Sequence, residues 1–199
     1  MEELNDYEKK IQKRGILRYI IGLFVRWEKY HYYEKNRRIA RKNGATIGEG
    51  VIITRKLARI ANKNLIIGDH SSIMTTQLDL RNPIKFGSKV IVGASVKILT
   101  TSHNIDSTLF EVKNCGIEID DYVWLPAKIL ILPSCRKIGY GAVISSGSCV
   151  VKNVDSMSVI GGNPAKEFRK RRCVHSNLIV ETLQSGDYIF YKQARKQKI

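Results

Sequence analysis

Little in these 199 residues breaks or cross-links the chain: four prolines, four cysteines, three methionines and two tryptophans. No apolar run approaches the roughly 18–20 residues that cross a bilayer; near the start the longest runs only from Tyr19 to Val25. Acids (Glu2, Glu3, Asp6) open the chain and no cleavage site follows an apolar region, so no secretory signal is expected. The cysteines, Cys115, Cys135, Cys149 and Cys173, match no zinc motif in their spacing and are too sparse for a disulfide scaffold. They read as reduced thiols of a cytoplasmic protein. Acidic residues are also few, 18 against 34 Lys and Arg, for a net charge of +16. With 43% apolar and 26% charged residues the chain is nonetheless of ordinary globular composition, long enough for one domain with a real core.

The positive excess sits at the two ends. Residues 1–46 carry twelve basic and six acidic groups and residues 161–199 nine and three, whereas the long middle carries thirteen and nine. Basic flanks admit nucleic acid, an anionic membrane surface or a polyphosphate ligand, besides a merely solvated surface.

From Ile47 onward aliphatic residues recur every six positions, usually followed by Gly or Asp, with a small residue four places on. The runs are Ile47, Ile53; Ile67, Ile73; Phe86, Val92, Ile98; Ile119, Leu125, Ile131; and, after one extra residue, Ile138, Ile144, Val150. The fourth-on positions include Val51, Ser71, Val90, Val96, Ser102, Val123, Cys135, Ala142 and Ser148. Alternating strands share a multiple of this period but do not explain the recurring Gly or the small residue. A β-helix explains both: short flat strands point an aliphatic into a narrow core and end in compact turns, three to a coil, with coils stacked backbone to backbone. The period fails at 104–116, directly after Thr101-Ser102-His103, so that segment is expected to leave the body as a loop, where function is commonly placed. Smaller excursions are expected at Leu57–Asn64 and Leu78–Pro83.

Three regions are therefore predicted: a helical cap over 1–43, a β-helix over 44–165, and a basic segment over 166–199. Ile16, Tyr19, Ile20, Leu23, Trp27 and Tyr30 fall at roughly helical spacing, and such a helix is expected to cover the open first coil. A basic amphipathic helix can instead lie on a membrane surface, so a weak association of this segment with membrane is kept open. Asn177–Leu183 and Tyr188–Gln197 suit a short helical tail.

Four further pieces accompany the repeat: Thr101-Ser102-His103-Asn104, Ile119-Asp120-Asp121-Tyr122-Val123-Trp124, Ile138-Gly139-Tyr140-Gly141-Ala142-Val143-Ile144 leading to Gly147-Ser148, and Gly161-Gly162-Asn163-Pro164-Ala165-Lys166 with Arg169. Together, over about residues 44–172, they resemble the hexapeptide-repeat acyltransferases, specifically the sugar O-acetyltransferases. The resemblance implies an all-β core in the form of a left-handed parallel β-helix, a homotrimer, and acetyl-CoA bound in clefts between subunits, with no metal. It implies that His103 is the general base toward an acceptor hydroxyl, a task suited to a neutral imidazole. It places Trp124 beside the reacting groups, Ala127, Ser146 and Val151 along the pantetheine arm, and Lys152, Lys166 and Arg169 at the phosphates. Lys170, Arg171 and Arg172 either add to that field or are solvated. Asp106 is a candidate for binding the acceptor or orienting the imidazole. His31, His70 and His175 carry no such expectation.

The chain departs from the family pattern at three points. Leu125-Pro126 follows Trp124 where Ile-Gly is usual, which removes a backbone N–H near the coenzyme path. The turn within Ser134-Cys135-Arg136-Lys137 has an extra residue. Ile73 stands where maltose- and galactoside-type enzymes have an acceptor-binding asparagine, which leaves the acceptor open and favours capsule, lipopolysaccharide or exopolysaccharide precursors. An antibiotic hydroxyl is the alternative acceptor, and a noncatalytic β-helix scaffold the alternative of another class. A hexapeptide-type carbonic anhydrase needs three zinc histidines, and only His70 and His103 lie within the repeat. No nucleic-acid motif accompanies the basic flanks.

Overall fold

The computed structural model describes residues 6–196; residues 1–5, with the opening acids Glu2 and Glu3, and 197–199, with Gln197, lie outside the described residues. The chain begins with helices α1 (Asp6–Gln12) and α2 (Ile16–Lys42). The first coil follows as β1 (Thr46–Ile47), β2 (Ile52–Ile53) and, in place of a third strand, helix α3 (Arg55–Ile60), whose first turn is capped by the Thr54 hydroxyl accepting from the Leu57 N–H. The second coil is β3 (Leu65–Ile67), β4 (Ser72–Ile73) and β5 (Gln77–Leu78), and the third β6 (Ile84–Phe86), β7 (Ile91–Val92) and β8 (Lys97–Ile98). A hairpin of β9 (Thr101–His103) and β10 (Val112–Asn114) then leaves the body. The fourth coil is β11 (Ile117–Ile119), β12 (Trp124–Leu125) and β13 (Leu130–Ile131), and the fifth β14 (Lys137–Ile138), β15 (Val143–Ile144) and β16 (Cys149–Val150). β17 (Ser158–Gly162) starts a sixth, and β18 (Ala165–Lys170) folds back on it antiparallel. A 3-10 turn over Val180–Gln184 and helix α4 (Tyr188–Lys196) finish the chain.

Equivalent strands of successive coils pair in parallel, giving three faces: β1-β3-β6-β11-β14, β2-β4-β7-β12-β15-β17, and β5-β8-β13-β16. Every hexad aliphatic from Ile47 to Val150 is buried in one continuous core. The fourth-on residues are buried as expected, except Ser102, which stands outside the body on β9. The reason is that the chain departs at Thr100, where its carbonyl accepts from the returning Cys115 N–H, four residues before the period visibly fails.

One corner of the prism is a column of left-handed residues, one per coil: Gly50, His70, Lys89, Tyr122, Gly141 and Met157, with φ between 54° and 66°. The N–H groups of the last five each donate to a carbonyl of the coil before, at Glu49, Asp69, Ser88, Asp121 and Tyr140. Close coil contact also explains the Gly after the aliphatic: a Cβ on Gly68 would stand 2.6 Å from the Gly87 carbonyl carbon.

A helix covers the first coil as expected, but through residues other than the apolar ones at helical spacing. Tyr33, Asn36, Arg37 and Ala40 of α2 cover the first coil, whereas Ile16, Ile20 and Trp27 are exposed, and Tyr19 and Leu23 pack on α4. Three side chains of α2 serve the carbonyls that no preceding coil can pair: Asn36 donates to Ile53 (2.9 Å), Arg37 to Val51 (2.9 Å) and Arg41 to Ile47 (2.7 and 3.0 Å).

Candidate active site

His103 ends β9, opposite Val112, and is exposed. Its Nδ1 lies 2.9 Å from the Phe110 carbonyl oxygen and its ring stacks on that of Phe110, centroids 4.3 Å apart and 7° from parallel. A carbonyl can only accept, so Nδ1 carries a proton, and in the neutral ring the lone pair is then on Nε2, the tautomer a base requires. Phe110 reaches this position through a left-handed φ of 47°. The group that orients the imidazole is therefore a backbone carbonyl, while Asp106 is exposed at the hairpin tip.

The foot of the hairpin is held from two coils. The Asp79 carboxylate accepts from the Thr100 N–H (3.1 Å) and the Thr101 hydroxyl (3.2 Å), and Asn82 donates to the Thr100 carbonyl (3.0 Å). Arg81, bidentate on Asp79, followed by the Thr100 N–H, holds that carboxyl well below the usual carboxylate range. On the returning side Arg136 donates to the Gly116 carbonyl (2.8 Å). Arg136 belongs to the turn with the extra residue, where Cys135 is buried and its thiol pushed up to about 11 by desolvation. The anomalous turn is thus a clip on the hairpin, and the break at Leu78–Pro83 supplies its other jaw.

The candidate coenzyme residues are spread from the fourth coil to the sixth. Ala127 and Ser146 occupy the same corner one coil apart, where the Gly147 N–H donates to the Ala127 carbonyl (3.3 Å). On the next coil Gly161 packs against Ser145, and Lys166 lies opposite Gly161 on β18. Val151 and Lys152 line a cavity of about 290 Å³ with Ala165 and Glu167. Arg169, opposite Val159, lies in an open cleft with Lys170, Arg171 and Arg172. Of these, Lys170 is engaged by Glu167 and Ser158, and Arg171 by the Tyr122 and Gly141 carbonyls and His175, so neither is a merely solvated cation. Trp124, 44% exposed, stands on β12 between Ile91 and Val143. Within one chain no described contact joins His103 to any of these residues.

Pro126 leaves a visible trace. Each strand of the face pairs with its neighbours over two residues, but β12 meets β15 at the single pair Trp124–Val143, because the next rung would need the missing N–H. Ile73 is fully buried in the core, so it cannot contact an acceptor. The sequence also missed two histidine contacts. His70 Nδ1 lies 2.5 Å from the buried Glu181 carboxylate, an approach possible because Gly50, where a Cβ would overlap both groups, lies beside them. His175 donates from Nε2 to the Lys89 carbonyl (2.8 Å) and receives Arg171 on Nδ1 (3.0 Å). Nothing periodic marks either pair. Among the described residues no group of three His, Cys, Asp or Glu could hold a metal ion, the four cysteines are free, and no helix is long and apolar enough to cross a membrane.

No family model matches the chain. A galactoside O-acetyltransferase of Lactococcus lactis is 30% identical over 143 residues, covering 69% of this chain and 68% of that protein. The chain belongs to the hexapeptide-repeat acetyltransferases. A colanic acid biosynthesis acetyltransferase assigned as WcaF in Escherichia coli, itself described as putative, is 27% identical over 73% of this chain and 80% of that protein. A chloramphenicol acetyltransferase of Klebsiella aerogenes is 45% identical over 53 residues, covering 27% of this chain. The match spans only 25% of that protein, so the chain covers less than half of this curated relative. Among solved structures, the hexapeptide-repeat acetyltransferase VCA0836 of Vibrio cholerae superposes with a TM-score of 0.60 at 20% identity, over 85% of this chain and 95% of that one. The solenoid is the left-handed parallel β-helix of the family.

Proposed function

We propose that the protein transfers the acetyl group of acetyl-CoA to a hydroxyl of a sugar, with His103 as general base and without metal. The observation that carries this reading is the hydrogen bond from His103 Nδ1 to Phe110, which leaves Nε2 free on an exposed, anchored hairpin. Nε2 takes the proton of the acceptor hydroxyl as its oxygen attacks the thioester carbonyl. The resulting oxyanion collapses, the C–S bond breaks, and the imidazolium returns the proton to the departing thiolate.

Acetyl-CoA would run past Trp124 along the corner of Ala127 and Ser146, with Val151 beside it and Lys152, Lys166 and Arg169 at its phosphates. Because no contact within one chain brings His103 to these groups, the site is completed between chains, in a homotrimer. The exposed apolar hairpin residues Ile105, Leu109, Phe110 and Val112 suit such an interface. Asp106 at the hairpin tip faces the acceptor. Likeness to the galactoside and WcaF proteins supports a sugar, of capsule, lipopolysaccharide or exopolysaccharide type, in the cytoplasm. The high identity of the short chloramphenicol acetyltransferase match supports a second reading, an antibiotic hydroxyl as acceptor.

The test is His103→Ala, followed by release of the CoA thiol in the presence of glycan, nucleotide-sugar and antibiotic acceptors, with calorimetric titration of acetyl-CoA alongside. Transfer is expected to fall by about 10²–10⁴-fold with acetyl-CoA affinity retained. An unchanged rate removes His103 from the chemistry, and no acetyl-CoA binding by the folded wild type leaves a noncatalytic scaffold.

A further inference from the structure

The N-terminal half of α2 carries an apolar surface that the fold does not use. Ile16, Leu17, Ile20, Ile21, Phe24 and Trp27 are each between 46% and 70% exposed. At roughly 100° per residue they share one broad face of the helix. The adjoining face, with Tyr19 and Leu23, packs with Tyr7 and Ile11 of α1 and with Tyr191 and Ala194 of α4. Six large apolar side chains in one exposed stripe far exceed the scattered leucines normal on a surface.

The helices that present this stripe are rich in exposed basic groups. Lys9, Lys10 and Lys13 on and after α1, Arg18 and Lys29 on α2, and Lys192 on α4 are exposed. Arg14 and Arg195 lie over the rings of Tyr191 and Tyr19, at 5.6 and 4.4 Å from their centroids. Among the described residues the module's acids do not balance them: Asp187 is buried against Arg26, leaving Asp6, Glu8 and Glu28. Two copies meeting through this face would bring their basic rims together, so charge disfavours self-association there. The stripe spans about 18 Å, too short to cross a bilayer.

We propose that the N-terminal half of α2 lies in the surface of an anionic lipid membrane, with Ile16, Leu17, Ile20, Ile21, Phe24 and Trp27 at the boundary of headgroups and acyl chains. The cations of α1, α2 and α4 sit among the lipid phosphates and carboxylates. An apolar face with a basic rim is the arrangement an interfacial helix needs, and each part alone gives only weak attachment. The C-terminal half of the same helix is fixed to the first coil, so the β-helix is held close to the lipid. This inference is independent of the acyl-transfer chemistry.

The test is co-sedimentation of the full chain with vesicles of phosphatidylcholine, with and without phosphatidylserine, at low and high salt. Trp27 fluorescence is followed against Trp27→Phe, and mass in solution is measured in parallel. Wild type is expected to bind the phosphatidylserine vesicles, with a blue shift lost in Trp27→Phe and affinity falling with salt. Ile20→Glu with Phe24→Glu is expected to lower binding at least about tenfold while melting temperature and mass stay unchanged. Absence of wild-type binding, binding indifferent to phosphatidylserine, or binding kept by the double variant overturns the proposal. So does a change of oligomeric mass in the double variant, which would assign the face to a second copy.

Discussion

At the scale of single residues, position in the repeat was readable and partnership was not. His103 could be singled out because it stands where the six-residue period stops, but its orienting partner is a main-chain carbonyl seven residues on, which no side-chain pattern records. Asp79 and Asn82 were readable only as a gap in the hexads, since their bonds to Thr100 and Thr101 span about twenty residues and have no period. Under the proposed function Asp79 is a positioning residue, acting on His103 through the hairpin foot. Asp79→Asn keeps the size but weakens acceptance from Thr100 and loses the Arg81 pairing. Transfer is expected to drop about tenfold or more through kcat, with the acetyl-CoA dissociation constant unchanged; steady-state kinetics beside calorimetry reads the split. His175 gives a pH prediction. Burial, then the Arg171 and Lys89 charges, lowers its pKa against the opposing Lys89 carbonyl bond, so the folded state prefers the neutral ring. A lowered folded-state pKa means that the unfolded chain binds the extra proton first. The contribution is therefore full above about pH 6.5 and is lost as pH falls through the folded-state value. Melting temperature between pH 7.5 and 5 should decline in wild type and decline less in His175→Gln.

At the scale of elements, the strands followed the hexads while the cap did not follow the apolar spacing. An unpaired coil end presents carbonyl oxygens as well as apolar surface, and oxygens call for donors. Asn36, Arg37 and Arg41 answer that need, and a search for aliphatic periodicity passes over them. The apolar residues that drew attention, Ile16, Ile20 and Trp27, serve a different surface of the helix. Asn36→Ala leaves the Ile53 carbonyl buried without its donor, so chemical denaturation should show a loss of about 1–3 kcal/mol, whereas Ile20→Ala should be nearly silent. The excursion likewise begins earlier than the period suggests, since Thr100, Thr101 and Ser102 suit either a coil strand or a hairpin strand.

At the scale of the whole molecule, the solenoid was readable because a single repeating requirement, one aliphatic per side per coil, is printed thirteen times in the sequence. The repeat is silent on the assembly, because the groups proposed to act together lie on different parts of one chain. It is silent also on the single weakened rung at Pro126, whose cost depends on which strand lies alongside.

The two ends of the prism have a consequence of their own. A stack of coils is in principle an unfinished polymer: its last rung is a template on which another copy's first rung can be laid, without limit. Here growth is terminated chemically at both poles. One pole has its acceptors consumed by the amide and guanidinium groups of α2, and at the other the β17 strand is taken up by its own returning β18. The chain is thus a fibre of fixed length, whose size is set by two stoppers and not by the number of repeats it could stack.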